Sequence, residues 1–224
     1  MRIAVYTEVG QKRTFAGAIE WPGWCRGGKD EASAVQALLD YAPRYARALR
    51  GSSPKFSPPE KLSELNVTER LKGGAGTDFG APEAHPAADA AKAGEAELKR
   101  LEAILSACWQ QFDAAAGAAK GKKLLTGPRG GGRDLAKMID HVQEAEKAYI
   151  GSLGWWKLSG EVQGELTSLK QVREASLRGV RASAAGEIPA VGPRGGKRWS
   201  PRYFVRRAAW HVLDHAWEIE DRLG

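Results

Sequence analysis

The stretch PRYFVRRAAWHVLDHAWEIEDRL, residues 201–223, reads as one long helix. Proline suits a first helical turn, where its missing N–H is not needed, and Ser200 before it can cap that turn. Within the stretch, His211 and His215 are four residues apart, so both rings project from one face. Two imidazoles at that spacing can converge on one ion. The pair alone is a weak signal that a packed, hydrogen-bonded helix face also explains, so the rest of the chain has to decide.

Upstream, three more stretches carry helical periodicity. They cover about 87–116, with Leu98, Leu101, Leu105, Cys108 and Phe112 as an apolar stripe, about 134–153, and about 161–184. Four such helices predict an up-down-up-down four-helix bundle, whose second and fourth members run parallel. His141 lies on the second and supplies a third imidazole. Three neutral imidazoles leave a divalent ion open to water or substrate. Zinc and nickel both suit these ligands. Asp140, Glu144, Asp214 and Glu218 flank the histidines and are candidates to orient the rings. His85, beside Pro86, reads as non-functional, and Cys108 reads as core.

The N-terminal part has a different texture. Arg2–Glu8 and Thr14–Glu20 alternate apolar and polar residues and predict strands. Trp21-Pro22-Gly23-Trp24 supplies turn chemistry after the second. Asp30 is placed to cap a helix reaching about Leu49. Gly51–Pro59 is a breaker, and Glu64–Leu71 predicts a third short strand. The expected class is therefore α+β: a small αβ module over 1–72, a Gly/Pro-rich linker over 73–86, and the bundle over 87–224.

Two cysteines far apart imply no disulfide framework and fit a reducing, cytoplasmic setting. No apolar run approaches the roughly 18–20 residues that span a membrane, and the N-terminus turns polar too soon for a signal peptide. The eight tryptophans demand large aromatic surfaces for burial or binding. The net charge of +7 is concentrated in two acid-free tracts, 118–133 and 188–207, so the remainder of the chain is net acidic. Local basicity favours a small anionic ligand over nucleic acid, for which no recognisable motif is present.

Each tract contains G-P-R-G-G-x-R, at Gly127–Arg133 and Gly192–Arg198, just ahead of a helix. If those helices are parallel, both loops lie at one end of the bundle. Arg129, Arg133, Arg194 and Arg198 would then grip the anionic end of a ligand, aided by free N–H groups at the helix starts. The alternative is a pair of soluble loops whose arginines pair with nearby acids.

Asp140-His141-Val142 and Trp210-His211-Val212-Leu213-Asp214-His215 give residues 87–224 a resemblance to the DinB/YfiT-like family of metal-dependent bundle proteins. The resemblance implies a divalent metal on His141, His211 and His215. It also implies a transferase or isomerase using a low-molecular-weight thiol, or a hydrolase acting on a small anionic substrate. Phe15-Ala16-Gly17-Ala18-Ile19, Trp21-Pro22-Gly23-Trp24 and Glu31-Ala32 resemble a HicB-type antitoxin domain over residues 2–49. No DNA-binding segment follows it, so the module is expected to pack on the bundle or to mediate a homodimer. A non-catalytic, metal-stabilised protein using the module to bind a partner is the alternative function.

Overall fold

The computed structural model describes residues 2–126 and 131–223. Among these, β1 (Ile3–Val9), β2 (Thr14–Ala18), β3 (Cys25–Gly28) and β4 (Leu65–Lys72) form one sheet in the order β3-β2-β1-β4. β1 pairs antiparallel with β2, Val5 opposite Ala18, and parallel with β4, Ile3 opposite Leu65. A parallel neighbour requires a crossover, and α1 (Glu31–Asp40) and α2 (Ala42–Ala48) lie on it. The helix expected over 30–49 is divided because Pro43 has no N–H to donate to Leu39, whose carbonyl accepts the Tyr41 N–H instead. β3 was not foreseen, since Cys-Arg-Gly-Gly carries no alternation. Its glycines permit close packing: a Cβ on Gly28 would stand 2.4 Å from the Ala34 nitrogen of α1.

Residues 73–86 contain α3 (Ala75–Phe79) and a segment folded onto the buried Glu8 carboxylate. That carboxylate accepts from the Thr77 hydroxyl and from the N–H groups of Glu83 and Ala84. The helical region follows as α4 (Glu95–Ala119), α5 (Leu135–Leu153), α6 (Trp155–Ser159), α7 (Leu169–Ala185) and α8 (Pro201–Arg222). Asp134, Ser168 and Ser200 cap α5, α7 and α8 by accepting from the N–H groups of Lys137, Gln171 and Tyr203.

Cross-links between helices fix their directions and correct the expected order. Arg202 pairs with Glu97 at one end and Gln111 donates to Glu220 at the other, so α4 and α8 are parallel. The Trp199 N–H meets the Ser152 carbonyl, and Arg222 meets the Arg133 carbonyl, so α5 and α8 are antiparallel. Asp113 with Arg173 and Glu102 with Arg181 set α7 antiparallel to α4. The directions are up, down, down, up, in place of strict alternation. The physical reason is the connection after α5, which climbs back along α7. The Trp155 indole donates to Glu161, which pairs with Arg178, and the Trp155 side chain packs against Gly179.

One apolar core runs from Val5, Trp24 and Leu38 of the module through Ile104, Phe112, Val142, Val172 and Val212 of the helices. α8 lies within it, and 16 of its 22 residues are buried. A helix enclosed on nearly every side must satisfy each polar group it carries, because an unpaired buried charge is costly. Arg206 shows how: its guanidinium binds both oxygens of Asp89 at 2.7 Å and donates to the carbonyls of Ala18 and Ile19. No helix among the described residues is long and apolar enough to cross a membrane.

Candidate metal centre

α8 turns His211 and His215 toward α5, which presents His141. One ligand atom from each ring lies within 4.8 Å of the other two, so the three could hold a metal ion. The Nε2 atoms of His141 and His211 are 3.2 Å apart. Two nitrogens bound tetrahedrally at zinc-like lengths stand roughly 3.3 Å apart, so this pair is already close to that spacing. His211 and His215 are 7% and 8% exposed, whereas His141 is only partly buried, which leaves one side of the group open.

No family model, curated protein or solved structure matches this chain. The site must be judged on its own chemistry.

Burial pushes the His211 imidazole well below its usual value, and repulsion from His215, Arg207, His141 and Arg133 adds to this. His141 is lowered by burial and then by His215 and Arg133. Both rings are thus held neutral with lone pairs available, the form a metal ligand requires. Nδ1 of His215 lies 3.1 Å from Glu218 Oε2. A proton on Nδ1 directed at this carboxylate leaves the Nε2 lone pair free for the centre of the group. The hydrogen bond from His215 in turn holds the Glu218 carboxyl below the ordinary range, with Arg222 contributing. Arg222 is buried, binds Glu218 Oε1 at 2.8 Å, and anchors to the carbonyls of Leu125 and Arg133. His211 Nδ1 is buried with no hydrogen-bond partner among the described residues.

The other flanking acids turn elsewhere. Asp140 is exposed. Glu144 is exposed and pairs with Lys147. Asp214 reaches across to Arg26 of β3 at 2.7 Å. Among the described residues, no hydrogen bond joins Asp140 or Glu144 to the histidine rings.

Arg133 and the second glycine-arginine loop do not share an end, which corrects the reading of a common anion grip. Because α5 and α8 are antiparallel, Arg133 lies near the C-terminus of α8, while Arg194 and Arg198 lie against Gly151 and Gly154 at the far end of α5. Arg198 donates to the Pro189 carbonyl. Arg129 lies outside the described residues. His85, read as non-functional, stacks on Tyr203 with ring centres 3.4 Å apart. Three neighbours were missed by the sequence reading: Arg222, Tyr149, whose ring centre lies 5.7 Å from that of His211, and Arg207, stacked over Trp210. Only Arg222 left a legible signal, as a basic residue four positions after Glu218.

Proposed function

We propose that the chain is a DinB/YfiT-like metal-dependent enzyme whose helices form a bundle around a divalent ion, zinc or nickel, held by His141, His211 and His215. The observation that carries this reading is the convergence of three imidazoles, two of them kept neutral, with Glu218 on the outer nitrogen of His215. A divalent ion there would lower the pKa of a coordinated water or thiol and polarise a substrate carbonyl.

The protein's own groups have separate tasks. Glu218 and Arg222 fix the ring of His215. Tyr149 keeps its phenol protonated through burial and offers a donor near His211. The open side beside His141 admits the substrate. A small anionic substrate and a low-molecular-weight thiol co-substrate suit this arrangement, for a transferase, isomerase or hydrolase reaction. A structural metal site would need a fourth protein ligand, and among the described residues none joins the three. This favours catalysis over a purely stabilising role.

The test is elemental analysis of protein purified without an affinity tag, in parallel with His211→Ala. The expected result is one divalent ion per chain in the parent and little in the variant. Equal metal content in the two proteins would overturn the reading.

A further inference from the structure

A cleft of about 610 Å³ lies between the sheet module and the segment that leads into α5. Three guanidinium-bearing residues line it: Arg13 from the β1–β2 turn, Arg26 from β3 and Arg133 from ahead of α5. Phe79 and Trp210 provide flat apolar wall. Glu218, the carboxylate that holds His215, also lines the cleft, so the cleft adjoins the histidine group.

The charges in the wall do not cancel. Asp214 is engaged by Arg26, and Glu218 by Arg222 and His215. Among the described residues, no carboxylate lies within ion-pair distance of Arg13 or Arg133, and both side chains are exposed. The Arg13 guanidinium lies close over Gly80, whose φ of +113° is a conformation side-chain-bearing residues rarely adopt. Phe79 next to it is 89% exposed. A bare phenyl ring beside surplus positive charge can be covered by a ligand that is flat and apolar at one end and anionic at the other.

We propose that this cleft binds a small molecule carrying a carboxylate or phosphate joined to a flat apolar group, and presents it beside the histidines. Arg13 and Arg133 hold the anion, and Phe79 and Trp210 cover the apolar part. The delivery of this molecule to a reaction rests on the metal reading above, whereas its binding does not.

Calorimetric titration of the full chain with phenyl phosphate, and in parallel with benzoate, tests the proposal. Saturable one-to-one binding of at least one probe is expected. The double substitution Arg13→Ala/Arg133→Ala should weaken it by about tenfold or more, the scale of losing charge-assisted hydrogen bonds. Phe79→Ala should weaken it several-fold, and inorganic phosphate should bind less tightly than phenyl phosphate. Absence of saturable binding, or an affinity unchanged by the double substitution, overturns the proposal. A metal-free parent protein that still binds the probe would leave the cleft standing while the metal reading fails. Retained metal with an unaffected double variant would do the reverse.

Discussion

Glu218 works at three places at once. It orients His215, neutralises the buried Arg222 and forms part of the cleft wall. Replacing Glu218 with Gln preserves size but removes the charge that polarises the imidazole. Metal affinity, read by competition with a chromophoric chelator, should fall about 10–100-fold, the usual cost of losing such a partner. An unchanged affinity would show that the carboxylate only packs there. A second carboxyl, Glu146 on α5, is buried against the Trp109 indole, and burial pushes it up to about 7 despite the nearby Arg173. Its folded value therefore exceeds its unfolded value. Between about pH 4.5 and 7 the unfolded chain gives up a proton that the folded chain keeps, so stability should decline as pH rises through that window, by about 3 kcal/mol in all. Urea midpoints measured from pH 5 to 8 should show this slope, and Glu146→Gln should flatten it. His211, His215 and Glu218 were legible because spacing of three or four residues on one helix is a local property; His141 was placed with them on a parallel run of its helix with α8, whereas α5 runs antiparallel and still brings it to the group. The engagement of Asp214 by Arg26 was not, since it joins residues 188 apart in the chain.

Elements with strong local signals were readable, and those set by neighbours were not. The start of α8 was announced by Ser200-Pro201, and the cap forms as that pattern demands. Ser200→Ala should cost about 1 kcal/mol. In a chain of this size the thermal midpoint should drop by roughly 2–4 °C, and an unmoved midpoint would mean the cap is replaced by another partner. β3 escaped notice because glycine-rich edge strands have no alternation, and packing against Phe15 and α1 creates it. The directions of α5 and α7 also lay beyond local reading. Helical periodicity says which face is apolar, not whether the next helix begins at the near or the far end. The return of residues 154–168 along α7 decides that, through Trp155, Glu161 and Arg178.

At the scale of the whole molecule, the sheet module and the helices are joined through α8, and nothing local to residues 201–222 announces that this helix is covered on both sides. Its apolar and aromatic residues predict a core face, but the buried Arg206 and Arg222 look like surface residues until their partners are known. Arg206 is a buried polar tie between the sheet module and the helices. It grips Asp89 through Nε and Nη2, and the carbonyls of Ala18 and Ile19 through Nη1 and Nη2. Asp89→Asn would leave a buried guanidinium without its counter-charge. Breaking a buried pair from one side costs about 3–5 kcal/mol, because the remaining charge cannot reach water without disturbing the packing. The same substitution should loosen the module that carries Arg13 and Arg26, and so weaken phenyl phosphate binding while the metal content expected of the three histidines, on α5 and α8, is unchanged. Chemical denaturation together with metal analysis checks both halves. A stability loss below about 1 kcal/mol, the scale of an exposed pair, would mean that Arg206 is held by the carbonyls alone and that Asp89 does not tie the module to the helices.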